Sequence, residues 1–319
     1  MMFEKMLVPL DGSSLAECVL PHVVAFANTF NAETTLLQVM EGGRIRPNGP
    51  IVNPVDWHIA DAQAISYLKN MADQLEVLGV STEKVTLGGV AAERVIEYTD
   101  NKDIDLIVLS SHGRSGLSGW NVSSVVQKII LRAYRSVLIV RAYQPIKHKA
   151  GELVYRRLLV PLDGSQRAEC VLPAAVTLAQ AHDARLLLVH VLRRPEMPFR
   201  THLTEEDIRL ANKLIARNRE EAEKYMDDLR GRLPVNLDIH IFVQDDVAVA
   251  LHELSESEEA DLVILSAHGY SGTPRWTYGS VTSSFIGYGS TPLLIIQDLS
   301  KDQVEPSRAE LSVKEQKGH

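Results

Sequence analysis

The chain of 319 residues contains 2 cysteines, too few for a disulfide-stapled fold and in keeping with a reducing compartment. Cys18 and Cys170 read as small buried apolar residues on helices. Positive charge is also scarce. Lysine and arginine number 33 against 41 aspartates and glutamates, a net charge of -8. Nucleic-acid partners need a surplus of basic side chains, so none is expected. No apolar run approaches the roughly 18 residues of a membrane span, so no membrane partner is expected. The N-terminus opens directly on a strand pattern and lacks the layout of a secretion signal, which points to the cytoplasm. A G-x-x-x-x-G-K-[ST] loop is absent, so this is no P-loop protein. What remains is ordinary for globular proteins: 45% hydrophobic and 23% charged residues.

The most informative presence is a repeat. Leu7 to Pro21 reads LVPLDGSSLAECVLP, and Leu159 to Pro173 reads LVPLDGSQRAECVLP, 152 positions later. Ser110 to Gly116 (SSHGRSG) is echoed by Ser266 to Gly272 (SAHGYSG), 156 positions later. One domain is therefore written twice, at residues 1–143 and 156–299, joined by a linker at 144–155. The charged tail at 300–319 lacks periodicity and is expected to be disordered.

Within the first copy, Lys5 to Leu10 is a buried strand pattern. Ser14 with Glu17 has capping-box spacing for a helix to about Phe30, and Pro21 is expected to kink it. Further strands are expected at Thr34 to Met40, Ser81 to Leu87, Leu106 to Leu109 and Val137 to Val140. Helices are expected at Asp56 to Leu78, Ala91 to Asn101 and Ser124 to Arg132. The second copy repeats the order, with strands at Leu158 to Leu162, Leu186 to Val191, Leu237 to Val243, Leu262 to Leu265 and Leu293 to Ile296, and a long helix at Glu205 to Leu229. The Pro-containing stretches Glu41 to Pro54 and Arg193 to Thr204 read as long binding loops. Strands without polar alternation, separated by helices, imply α/β architecture: two tandem, doubly wound, open parallel sheets of five strands.

Such sheets bind ligands beyond the carboxyl ends of their strands. Asp-Gly-Ser follows strand one and Ser-x-His-Gly-x-Ser-Gly follows strand four, so both turns lie at that end. The second turn carries glycines and hydroxyls and leads into a helix, an arrangement that suits phosphate. No lysine sits in it, so phosphate charge would be met by amides, by hydroxyls such as Ser124 or Ser280, or by a metal ion. Asp11 and Asp163 fit two roles equally: accepting from a ribose or base, or fixing the turn. His112 and His268 have no evident catalytic partner and read as loop histidines bonded to backbone. Trp120 and Trp276 read as packing residues, and Glu253 to Glu259 as a solvated face.

These motifs resemble the universal stress protein family in its tandem form, over nearly the whole chain except the tail. The family's nucleotide-binding members carry Gly-x-x-Gly, nine residues, then Gly-Ser or Gly-Thr. In the second copy Gly269 matches the second glycine and Gly279-Ser280-Val281 the Gly-Ser, while Ser266 replaces the first glycine. In the first copy Gly113 matches, Ser110 replaces the first glycine, and Ser123-Ser124-Val125 stands where the Gly-Ser should be. The resemblance places base and ribose contacts on Pro9, Leu10, Asp11, Val39 and Leu109, and on Pro161, Leu162, Asp163, Val191 and Leu265. It implies binding of ATP, with AMP or ADP as variants and Mg²⁺ accompanying the phosphates. A positive φ at Ser123 would strain serine there, so the second copy is expected to be the better site.

The leading expectation is a nucleotide-binding stress sensor or regulator, at most a slow ATPase. The alternative is a scaffold or binder of another ligand with degraded ATP motifs, and the weakest is a hydrolase or nucleotidyl-transfer enzyme. The last strands are expected to join the copies as an internal pseudo-dimer able to dimerise again as a homodimer.

Overall fold

A computed structural model describes residues 2–40, 54–116, 121–143, 149–195, 204–270 and 277–299. The loop expectations on 41–53 and 196–203, linker residues 144–148, Trp120, Trp276 and the tail lie outside the described residues.

The first half runs β1 (Lys5–Pro9), α1 (Leu20–Phe30), β2 (Glu33–Met40), α2 (Pro54–Glu76), β3 (Thr82–Gly88), α3 (Ala91–Asn101), β4 (Leu106–Ser110), α4 (Ser124–Ala133) and β5 (Ser136–Val140). The second runs β6 (Arg157–Pro161), α5 (Gln166–Glu169), α6 (Leu172–His182), β7 (Arg185–Leu192), α7 (Glu205–Arg232), β8 (Leu237–Val243), α8 (Val247–Ser257), β9 (Leu262–Ser266), α9 (Ser280–Tyr288) and β10 (Leu293–Ile296). The strands form one sheet in the order β3-β2-β1-β4-β5-β10-β9-β6-β7-β8. Each half is parallel throughout, and β5 meets β10 antiparallel, Leu138 opposite Leu294.

The apolar character of these strands follows from what covers them. Leu106 and Val108 of β4 enter one core with Val23 of α1 and Leu68 of α2. Ile107 and Leu109 enter the other with Ala92 of α3 and Ile129 of α4. Both faces are dry, so neither can carry polar alternation. Each core runs unbroken across the seam, the first taking in Ala174 and Leu178 of α6, the second Phe285 of α9. On the α1/α6 side, the buried Tyr155 hydroxyl meets His22 Nδ1 at 2.7 Å. On the other, Arg141 donates to the carbonyls of Phe285 (2.7 Å), Thr291 (3.3 Å) and Ile286 (3.4 Å), closing the C-terminal end of α9. Burial lowers the Arg141 pKa to about 10. Tyr278 returns the favour in reverse, its hydroxyl donating to Ile130 O of α4 at 2.9 Å.

Two local expectations need correction. Ser14 and Glu17 form no capping box. A 3₁₀ turn, Ala16–Val19, comes first, and Ser13 Oγ accepts from Ala16 N at 3.2 Å. In the second half the equivalent Ser165 caps α5 through Ala168 N at 3.1 Å. Pro21 does not kink a helix; it lies in the first turn of α1, where its missing N–H costs nothing. Glu253 is exposed near the end of α8, as a solvated face requires.

Candidate functional site

In each half the chain leaves its first strand outward to two more strands and then returns beside the first. β1 therefore lies between β2 and β4, and β6 between β7 and β9. This reversal opens a crevice at the strand ends. Asp11 and Asp163 stand at its centre. Asp11 Oδ1 accepts from Ser13 N (3.0 Å) and Ser13 Oγ (2.6 Å), and its Oδ2 accepts from Arg114 N in the loop after β4. Asp163 makes the same set to Ser165 N (3.0 Å), Ser165 Oγ (2.6 Å) and Tyr270 N (2.6 Å). Each carboxylate thus ties the two turns together, which gives the turn-fixing role a definite structure.

That tie explains the glycine of each loop. A Cβ on Gly113 would collide with Asp11 Oδ2, and one on Gly269 with Asp163 Oδ2. The serines that replace the first glycine are also accounted for. Ser110 Oγ donates to His112 O at 2.6 Å, and Ser266 Oγ to His268 O at 2.6 Å, so each hydroxyl clips its own loop.

Ser123 and Gly279 precede α4 and α9 with closely similar backbones, φ -68° with ψ 159° and φ -68° with ψ 168°. The expected strain at Ser123 is therefore absent, because neither turn uses a positive φ. The difference is one of capping. Ser123 Oγ accepts from Val126 N at 3.3 Å, whereas Gly279 leaves the first turn of α9 without a side-chain cap. Ser124 and Val125, and Ser280 and Val281, occupy the first turns that follow.

In the first half these residues surround a cavity of about 480 Å³. Its wall holds every expected first-half site residue except Ser124: Pro9, Leu10, Asp11, Val39, Leu109, Ser110, Gly113, Ser123 and Val125. In the second half Pro161 ends β6 and Leu162 and Asp163 follow it, Val191 lies in β7, and Leu265 and Ser266 end β9 just before the Gly269 loop.

Several polar groups near these turns escaped the sequence reading. Arg114 lines the first cavity, and its Nη2 sits 3.3 Å from where a Cβ of Gly12 would stand; the corresponding Tyr270 is exposed. Gln38 of β2 lines the cavity too, with its Oε1 buried and lacking a hydrogen-bond partner. The equivalent His190 of β7 has an unpartnered, buried Nδ1. Burial holds its pKa below the ordinary value, against a backbone hydrogen bond at Leu162 and the charge of Asp163. His268 read as a loop histidine bonded to backbone, and its Nδ1 lies 2.8 Å from Asp298 Oδ1, both side chains buried. Arg167 Nε lies 3.4 Å from the other oxygen. Ala142 occupies the matching position in the first half, so comparing the copies would have singled out Asp298. The thiols are not reactive groups: burial pushes Cys18 up to about 11 and Cys170 to about 12. Among the described residues no group of three or more His, Cys, Asp or Glu could hold a metal ion, and no helix is long and apolar enough to cross a membrane.

Comparison with known proteins agrees with this architecture. The model of the universal stress protein family matches residues 2–141 and again 154–297. A universal stress protein of Mycobacterium tuberculosis is 24% identical over 240 residues, covering 73% of this chain and 74% of that protein. Another, from Methanocaldococcus jannaschii, is 26% identical over 147 residues, covering 44% of this chain and 83% of its own. Among solved structures, a universal stress protein from Archaeoglobus fulgidus superposes with a TM-score of 0.67 at 18% identity, covering 94% of this chain and 100% of that one. That likeness concerns the fold.

Proposed function

This chain belongs to the universal stress protein family, in tandem form, and from that premise we propose that it is a cytoplasmic regulator of the stress response that binds ATP in its strand-end crevices. The observation that carries the reading is the first-half cavity of about 480 Å³, bounded by a carboxylate-tied turn, a glycine loop and a helix N-terminus. Its size is within the roughly 300–1,000 Å³ of small-molecule sites. Apolar side chains such as Leu10, Leu37, Val39 and Leu109 suit a flat base. The glycine loop and the helix amides suit phosphates, which gain from the partial positive charge at a helix N-terminus. Mg²⁺ would arrive with the triphosphate.

We assign the better phosphate site to the second half. A phosphate at the start of α4 competes with Ser123 Oγ for the Val126 amide, and relative to glycine that cap is worth a few tenths of a kcal/mol. Gly279 sets up no such competition at α9. Arg114 acts in the opposite sense in the first half, but as an exposed, solvent-screened charge it contributes only about 0–1 kcal/mol.

Isothermal titration with ATP and Mg²⁺, on the intact chain and on Gly279→Asp, tests the proposal. One tight site that disappears in the variant supports it. Two equal sites would end the asymmetry. No heat, together with no nucleotide carried through purification, would replace ATP by another ligand in the apolar first cavity.

A further inference from the structure

Gln38 and His190 occupy the same place in the two copies, 152 positions apart, on β2 and β7 next to the residues expected to face the base. The side chains differ, yet the structure leaves both in one condition. Gln38 is 9% exposed, its Oε1 is buried without a hydrogen-bond partner, and the residue lines the first cavity beside Asp11 and Gly12. Its Nε2 lies 3.4 Å from where a Cβ of Gly12 would stand, so the amide is pressed against the turn after β1. His190 Nδ1 is likewise buried without a partner, and the ring edge lies 4.0 Å from the matching point at Gly164, against the turn after β6. Burial, the dominant influence, favours the neutral ring, and a neutral imidazole has one nitrogen that accepts.

A buried polar atom without a partner carries a desolvation penalty, and folded proteins seldom leave one so. The same penalty at equivalent positions, borne by two chemically different side chains, is difficult to assign to packing, because leucine would fill either position without it. Glutamine and neutral histidine share one property of use here: an acceptor on a short, planar, well-packed group.

We propose that Gln38 and His190 are the specificity-determining residues of the two crevices, each accepting a hydrogen bond from an N–H or O–H of the bound ligand. This rests on the nucleotide reading above and narrows it. The ligand must present a donor toward β2 or β7, either the exocyclic amine of an adenine or a hydroxyl of its ribose. A site built around a fixed acceptor rejects an analogue lacking the donor, because rejection leaves the acceptor stranded.

The test is titration calorimetry on the full chain with four triphosphates: ATP, purine riboside triphosphate (which lacks the amine), 2′-deoxyATP and 3′-deoxyATP. Wild type is compared with the Gln38→Leu/His190→Leu double variant and with the swap Gln38→His/His190→Gln, which keeps an acceptor at each position. In wild type, ATP is expected to bind about tenfold or more tighter than the analogue missing the critical donor. The leucine variant should lose that discrimination and the swap should retain it. Discrimination against purine riboside triphosphate assigns the amine as donor, and discrimination against a deoxy analogue assigns the hydroxyl. Unchanged discrimination in the leucine variant overturns this inference while leaving nucleotide binding intact. Should the leucine variant not fold, the swap still decides, since loss of discrimination there overturns the acceptor role. Absence of binding by any triphosphate to wild type overturns the nucleotide reading, and this inference with it.

Discussion

Gly113 and Gly269 show how one side chain can dictate another's absence. Their position is reserved by the carboxylates of Asp11 and Asp163, which fill the space a Cβ would need. Gly113→Ala should push Asp11 off the Arg114 amide and cost about 2 kcal/mol, as expected for loss of a hydrogen bond to a charged group. A thermal melt within a degree of wild type would show that the tie is dispensable. The histidines make a second prediction at this scale. Burial holds His182, His190 and His252 below their ordinary pKa of 6.5. Below that pH the unfolded chain takes up protons that the folded chain resists, so acid favours unfolding. Stability from these groups is complete above about pH 6.5 and declines as the pH falls toward their lower folded values. The melting temperature should drop between about pH 7 and pH 5, and replacing the three by glutamine should flatten that slope. A melting temperature that rises on acidification would contradict it.

Among elements, α4 and α9 are the instructive pair, since they have nearly the same backbone and different first turns. Ser123 caps α4, while Gly279 leaves α9 open. The backbone has room for the exchange. A Cβ at Gly279 would meet its nearest neighbour, Ala267 O, at 3.6 Å, an ordinary contact. Exchanging serine and glycine at an N-cap changes stability by only a few tenths of a kcal/mol. Ser123→Gly should therefore tighten phosphate binding in the first half, and Gly279→Ser should weaken it in the second, without appreciable change in the melt. Titration of the two variants with ATP decides this. Equal affinities in both directions would mean that the first-turn amides do not contact phosphate. The far ends of the same helices are held across the seam, α9 by Arg141 and α4 by Tyr278, so each helix links one crevice to the opposite half.

At the scale of the whole molecule, the β5–β10 junction makes one sheet of two. It covers two apolar strand edges that would otherwise be exposed. The outer strands β3 and β8 carry charged and polar residues, Glu83 with Lys84 and Asp238 with His240, which discourage further pairing. A fragment of residues 1–149 would uncover β5, and it should pair with its own copy along that strand. Light scattering of the fragment should report a dimer, and a stable monomer would show that β5 tolerates exposure. The intact chain has both strands satisfied, so the pairing expected of the two last strands is made within one chain.

Much of this was legible in one dimension. The repeat announces two copies, and apolar strands such as Leu106 to Leu109 announce a sheet covered on both faces, because neither face meets water. Asp-Gly-Ser and the histidine–glycine loop mark the strand ends, since turn chemistry is local. Other features belong to tertiary structure alone. The φ of Ser123 is set by how α4 leaves its loop, and no local pattern distinguishes that geometry from a left-handed turn. The pairing of Asp298 with His268 spans 30 residues. The unpartnered acceptors of Gln38 and His190 become visible only when their surroundings can be counted. Sequence by itself determined the two copies and the turns that end their strands, through short-range periodicity and turn residues. Tertiary structure decided which of their atoms are already satisfied and which are left for a ligand, because hydrogen-bond balance depends on neighbours brought together from distant parts of the chain.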